Sequence, residues 1–407
     1  MHRTLSALAL LLALAALGCD STPARFRTNM VYVHVQEKSI GEPYPAELKQ
    51  NVATVVTALF GTPDEPVLPG LPDADLTQVI DPEGLRIAAG PVRMDQQGLS
   101  ISGLYRRHCV HCHGVTGDGS GPTASFLNPY PRDFRLGIFK FKSTPGKQAP
   151  PTDDDLHRTL EQGIPGTAMP SFRLLELYER DAILDYVKYL AIRGEVERRL
   201  IEEATQLDFK ENPYLVNVAL RESDPGTYQA QMELVRGIAG EVAQKWIGAA
   251  ENVTPVPARQ ADRDKARSIA KGRELFCGAI ANCAKCHGNT ALGDGQVTDF
   301  DDWTLDWLKD KTLPFDSPQI REFVEVGAHE PRNIRPRNLR TGVYRGGRRP
   351  IDIFWRVRNG IAGSPMPENK VLSDEEVWNI VDYVLSMPYE ALSRPSEEAL
   401  THDGRPR

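Results

Sequence analysis

Cys109-Val110-His111-Cys112-His113 in the first half of the chain returns in the second as Cys283-Ala284-Lys285-Cys286-His287. Two thiols three residues apart share one helical turn, where they reach two vinyl groups of one porphyrin, and the adjacent imidazole is presented to the iron. Cys-x-x-Cys-His is accordingly the covalent attachment site of c-type haem. A Cys pair also serves zinc binding or thiol redox chemistry, but two matches, each followed by Gly, weigh against both. Cys109, Cys112, Cys283 and Cys286 are the expected attachment residues, and His113 and His287 the expected iron ligands.

The same signposts follow both motifs in the same order. Gly117-Asp118-Gly119 answers to Gly293-Asp294-Gly295, and Pro131-Arg132-Asp133-Phe134-Arg135 to Pro336-Arg337-Asn338-Leu339-Arg340. Gly163-Ile164-Pro165-Gly166-Thr167-Ala168-Met169-Pro170 answers to Gly360-Ile361-Ala362-Gly363-Ser364-Pro365-Met366-Pro367. Tyr186 and Tyr383 each lie 17 residues beyond their Met. The second copy carries extra sequence at roughly 291–335, including Trp303 and Trp307 on one helical face, suited to packing on the neighbouring domain or another protein. Apolar residues at three- and four-residue steps (Leu175, Tyr178, Ala182, Ile183, Tyr186, Val187, Leu190, and Val377, Ile380, Val381, Val384, Leu385) predict a closing amphipathic helix in each copy. Ser373 with Glu376 predicts a capping box at the start of the second.

Each copy resembles a class I cytochrome c domain, and the whole resembles an exported, two-domain, dihaem c-type cytochrome. The resemblance implies a mostly α fold, two covalently bound haem c groups, electron transfer and His/Met ligation of iron. The expected organisation is a leader at 1–18, a Pro-rich tether with one short helix (Leu48 to Phe60) at 19–95, and cytochrome domain 1 at 96–195. A helical connector at 196–262, broken near Pro213 and Pro225, domain 2 at 263–392 and a polar tail at 393–407 complete it.

Met169 and Met366 are the expected distal ligands. A lone Met is read as a filler of core gaps, but each of these sits in a repeated Gly-Ile-x-Gly-x-x-Met-Pro loop, 56 and 79 residues after its His. Proline stiffens such a loop, and glycine lets the backbone approach a flat ring. Met387 lies beyond the closing helix and has no counterpart. His108 and His111 are directed away from the iron held by His113, and His157 and His329, without duplicated settings, read as surface or loop residues. Arg132 and Arg337 are candidates for pairing with haem propionates, which suit a guanidinium fork. Nine arginines from Arg332 to Arg358 form a basic region, read as a solvated face or as a docking and propionate-neutralising surface whose contacts salt would screen. Cys277 reads as a free, partly buried thiol.

Arg3 followed by the apolar run Leu5 to Leu17 has the length of a signal-peptide core and is too short for a membrane helix. The run ends Ala16-Leu17-Gly18-Cys19, resembling a bacterial lipobox, which makes Cys19 the candidate lipidation site and the periplasmic face of a membrane the expected location. Ordinary cleavage nearby is the alternative. Six cysteines so assigned leave no disulfide framework. A formal charge of −7 argues against nucleic-acid partners.

His/Met iron has a raised potential and no open coordination position, so the expected role is non-enzymatic. Electrons would pass from a quinol-oxidising complex or dehydrogenase to a terminal oxidase or small cytochrome. A dihaem enzyme resembling cytochrome c peroxidases is the alternative; it would need one iron that opens to peroxide, with acid–base residues nearby.

Overall fold

The computed structural model describes residues 23–259 and 262–393; the leader, Cys19 and nearly all of the tail lie outside the described residues. The first half contains α1 Met30–Ile40, α2 Ala46–Phe60, α3 Pro82–Ala88, α4 Leu104–His108, α5 Val110–His113, α6 Asp153–Gln162, α7 Leu177–Glu203, α8 Leu220–Ser223 and α9 Pro225–Ile247. The second contains α10 Lys265–Cys277, α11 Ala284–His287, α12 Asp302–Trp307, α13 Pro318–Glu325, α14 Pro350–Asn359 and α15 Asp374–Ser386. Among the described residues the strands are β1 Arg93–Met94 and β2 Ser100–Ser102, one antiparallel hairpin. The architecture is mostly α.

Both closing helices form. At α15 the Glu376 amide donates to Ser373 Oγ at 3.3 Å, and the Ser373 amide donates to the Glu376 carboxylate at 2.8 Å, satisfying two otherwise orphan donors. α7 runs on to Glu203, so the closing helix of domain 1 and the start of the connector are one rod, buried on most of its turns from Ala182 to Ile201. Its charged residues are covered too, paired with one another, Lys188 with Asp185 and Arg193 with Glu197. Here α1, α2, α3 and α9 close around it.

The segment before domain 1 is therefore not the expected tether. Leu48, Val52, Val55, Val56 and Phe60 of α2, with Leu76, Ile80 and Leu85, share one core with Ile183, Tyr189, Leu190 and Val196 of α7. The Asn29 amide donates to Glu197 Oε1 at 3.1 Å, Arg193 holds the other oxygen of Glu197 at 3.0 Å, and Tyr44 Oη donates to the Ile201 carbonyl at 2.7 Å. Two of the prolines that suggested a tether sit at helix starts, Pro45 before α2 and Pro82 in the first turn of α3. A missing N–H costs nothing there. The 196–262 segment is likewise no free connector, because Val235, Ala239, Val242, Ala243 and Trp246 of α9 enter the same core. Its break at Asp224-Pro225 is a helix start, Asp224 accepting from the Thr227 amide at 3.1 Å.

In domain 2, α10 crosses α15 at Gly272, where any side chain would strike the Asn379 carbonyl. Gly84 of α3 meets α7 in the same way, a Cβ there standing 3.4 Å from the Ala182 Cα. Gly84 lies 25 residues before Cys109 and Gly272 lies 11 before Cys283; the β1–β2 hairpin fills the difference. The helix that crosses the closing helix in domain 1 thus begins at Pro82, upstream of the boundary expected at 96. The domain 2 core gathers Leu275, Phe276, Phe354, Val377, Ile380, Val381, Tyr383 and Met387.

The extra sequence of the second copy forms α12 and α13 around Phe300, Trp307, Leu308 and Ile320, packed on Val31 and Val35 of α1. Arg198 of α7 binds both oxygens of Asp306, at 3.0 and 3.2 Å. The insertion straps the second half onto the first.

Candidate functional site

In domain 1, α4 delivers the chain to Cys109, whose amide donates to the Tyr105 carbonyl at 2.8 Å, and α5 carries Cys112 and His113 on the next turn. The buried Tyr105 hydroxyl donates to the Gly114 carbonyl at 3.0 Å. Gly114 and Gly288, directly after the two histidines, have φ of 72° and 77°. L side chains avoid that region, which explains why both motifs end in His-Gly.

The His113 Nδ1–H donates to the Arg132 carbonyl at 3.0 Å, and the His287 Nδ1–H to the Arg337 carbonyl at 3.2 Å. Such a bond fixes the tautomer and leaves Nε2 free to ligate. The His113 ring stacks on Phe134 at 4.5 Å. Burial lowers the pKa of both imidazoles, that of His113 to about 4, so they stay neutral as ligands must.

His113 and Met169 line one cavity, together with Cys109, Cys112, Phe172, Ile183, Leu184 and Val187. The two Met loops share one hydrogen-bond pattern. The Ile164 amide donates to the Met169 carbonyl at 3.1 Å and the Ile361 amide to the Met366 carbonyl at 3.0 Å. The Thr167 and Ser364 amides donate to the Ile164 and Ile361 carbonyls, at 3.1 and 3.0 Å. Gly163 is needed at its place because a Cβ would stand 2.6 Å from the backbone of Pro170.

Three observations fit a haem c. Burial pushes the Cys109 thiol up to about 12 and the Cys283 thiol up to about 11, opposite to the lowered values of reactive thiol-redox pairs. Among the described residues no three His, Cys, Asp or Glu side chains converge to hold a metal ion directly, as structural zinc requires. Half-buried guanidinium groups with a buried, unpartnered Nε, on Arg337 and Arg345, stand at the boundary between the halves. Buried cations of this kind call for carboxylates, which haem propionates carry.

Domain 2 builds part of the domain 1 site. Arg345 and Trp303 line the domain 1 cavity, with Arg132 stacked over the Trp303 ring at 4.2 Å and the Lys140 ammonium 4.9 Å from it. Arg345 Nη2 donates to the Gly166 carbonyl at 3.2 Å. The basic region is thus largely turned inward, with Arg335, Arg348 and Arg349 left exposed. Arg332 donates to the Leu127 and Ser125 carbonyls at 2.7 and 2.8 Å, while Arg356 lies 5.6 Å from the Phe141 ring. Arg349 and Arg358 pair with Asp352 and Asp374. His329 lies in a loop, as expected, but half-buried and packed between the halves. His157 pairs with Asp181 at 3.2 Å. His108 lines the edge of the cavity against Phe172. Met387 is fully buried in the domain 2 core, and Cys277 is exposed rather than partly buried. Chain-distant residues such as Arg345 and Trp303 carry no local signal of a role in domain 1; only their residue types drew notice.

The geometry defines a class: a c-type cytochrome. Residues 269–388 match the cytochrome c family, and residues 96–187 match the family described as cytochrome c oxidase, cbb3-type, subunit III. More particularly, each half carries a cytochrome c-type domain with its own Cys-x-x-Cys-His motif. No curated protein sequence gives a significant match. Among solved structures, a chain of the Kuenenia stuttgartiensis reducing HAO-like protein complex is similar at 23% identity and a TM-score of 0.45, over 78% of this chain and 99% of that one.

Proposed function

We propose that this cytochrome carries electrons at the periplasmic face of a bacterial membrane through two haem c groups. One is attached at Cys109 and Cys112 and ligated by His113 and Met169; the other is attached at Cys283 and Cys286 and ligated by His287 and Met366. Cys19 bears the lipid. A quinol-oxidising complex or dehydrogenase is the donor, and a terminal oxidase or small cytochrome the acceptor. The likeness of residues 96–187 to an oxidase subunit family supports the oxidase.

The observation that carries the reading is the duplicated Met loop, with the same backbone hydrogen bonds in both halves. When bound, haem c supplies a one-electron iron couple. The chain's own residues do the rest. Arg132 and Arg337 carbonyls hold Nδ1 of the two histidines, which would leave Nε2 for the iron, the prolines after Met169 and Met366 stiffen the loops, and Phe134, Phe172, Ile183 and Val187 give the first cavity an apolar lining that would limit water at a bound haem. Oxidised-minus-reduced spectra with axial-ligand spectroscopy test the ligation. Stopped-flow mixing of the reduced protein with oxidised small cytochrome and, separately, with peroxide tests the role. Fast electron exchange with slow peroxide reaction is expected, whereas fast peroxide turnover without exchange would replace the carrier by a dihaem peroxidase.

A further inference from the structure

Arg132 and Arg337 occupy the same place in the two copies of the repeat, and each is shared between both halves of the molecule. Their carbonyls accept from His113 and His287 of their own domains, at 3.0 and 3.2 Å. Their guanidinium groups cross to the other domain. A Cβ placed on Gly166 would stand 2.7 Å from Arg337 Nη2, and one on Gly363 would stand 2.8 Å from Arg132 Nη1. Gly166 and Gly363 are equivalent residues, each three before the Met of its loop. The crossing is reciprocal: the backbone that orients one proximal histidine carries the cation that sits on the other distal loop.

We propose that each arginine tunes the haem of the opposite domain. Arg337 raises the potential of the haem held by His113, and Arg132 that of the haem held by His287. This rests on the haem occupancy given above. A cation fixed at a boundary poor in water acts across several ångströms, because the effective dielectric constant is far below that of water. It favours the state with one more electron. The Arg337 guanidinium, unlike its carbonyl, brings that charge to the first domain's loop, whereas the Arg132 guanidinium sits on the Gly363 loop and also lines the first cavity, so that it acts on both haems. Arg345, on the Gly166 carbonyl at 3.2 Å, adds a second cation to the first domain's loop. Glycine at 166 and 363 leaves the planar fork its room, with φ of 73° at both.

The test is a spectroelectrochemical titration of the full-length protein with both haems attached. Cys112→Ser marks the first haem, because one unreacted vinyl group extends the conjugation and moves its absorption to longer wavelength; Cys286→Ser marks the second. On the Cys112→Ser background, Arg337→Gln is expected to lower the potential of the marked haem on the order of tenfold in its reduction equilibrium, about 59 mV for one electron, and to leave the unmarked haem nearly in place. On the Cys286→Ser background, Arg132→Gln is expected to lower the potential of the marked second haem in the same way, together with that of the first haem, whose cavity Arg132 also lines. Arg337→Lys, which keeps the charge, is expected to hold the parent potential, and it covers the case in which the Gln variant does not fold. A shift confined to the arginine's own domain, a shift of neither haem, or a Lys variant that falls as far as Gln overturns the assignment. The marker does not involve Met169 or Met366, so a wrong distal ligand shows separately, as the absence of a thioether–iron band from the parent protein.

Discussion

His329 Nε2, in the insertion of the second half, lies 3.1 Å from the Gly119 carbonyl, on the loop that follows the first haem motif. Its ring also stacks on Tyr130 at 4.2 Å, and the Arg332 guanidinium lies over the Tyr130 ring at 4.0 Å. The two halves are clamped at the first motif. His329→Ala is expected to cost about 1 kcal/mol, one hydrogen bond and a ring contact. Arg332→Ala, which removes two hydrogen bonds and a cation–π contact, should cost about 2 kcal/mol. Denaturant unfolding followed at the haem bands and by tryptophan fluorescence checks this; coincident parent-like transitions in both variants would show the clamp to be idle.

Because the Met loops are duplicated down to their hydrogen bonds, Met169→His and Met366→His should each lower the potential of one haem and leave the other nearly unchanged, imidazole replacing the thioether that raises it. A redox titration of each variant reads this directly. Native potentials in both would mean that the iron takes its sixth ligand elsewhere.

Cys112→Ser and Cys286→Ser should each leave a haem on a single thioether and weaken its retention. Cys277, exposed at the end of α10, should be replaceable by Ser with both haems kept. Haem staining after denaturing electrophoresis, with the pyridine haemochrome spectrum, distinguishes the three variants.

Asp382 anchors the crossing of α10 and α15 and is 3% exposed. It accepts from Arg263 Nε at 3.0 Å and Ser268 Oγ at 2.8 Å, and it also binds Arg259. Burial alone would push its carboxyl up, but hydrogen bonds from Arg263, Ser268 and Arg259 outweigh that and hold it below the usual carboxylate range. A lowered folded-state value means stability that is complete above the unfolded carboxylate value and lost as pH falls through the folded one. Asp382→Asn should therefore destabilise domain 2 by about 3 kcal/mol at neutral pH, with the gap to the parent narrowing below about pH 4. Urea midpoints measured from pH 3 to pH 7 give the comparison. A pH-independent gap would assign the loss to packing.

The chemistry was legible because it is local. Cys-x-x-Cys-His, the Pro-Arg pair and the Met loop are short runs whose order survives duplication, and Ser373 with Glu376 announces its helix in four residues. What was not legible depends on chain-distant packing. The helix bearing Gly84 is cut off from its haem motif by the β1–β2 hairpin, so its equivalence to the one bearing Gly272 shows only where both cross a closing helix. The apolar residues of 48–85 lie among prolines, and nothing nearby tells that α7 is there to receive them. The arginines of 332–358 read as surface by composition, yet Arg332, Arg337, Arg345 and Arg356 reach domain 1, a destination that depends on how two halves meet.

The chain is held to the body of the molecule from Ala24 onward, close to Cys19, the candidate lipidation site. The Ala24 amide donates to Asp64 at 2.9 Å, the Arg27 amide to Thr116 Oγ1 at 3.2 Å, and the Arg27 guanidinium reaches Asp118 at 2.9 Å. Four residues lie between Cys19 and Ala24, so the two are at most about 18 Å apart along extended chain. Lipidated at Cys19, the molecule would ride against the bilayer on a short leash instead of swinging out from it. Its search for partners would then be two-dimensional, among membrane neighbours of matching height, and any electron bound for a distant site would have to leave on a separate, freely diffusing carrier.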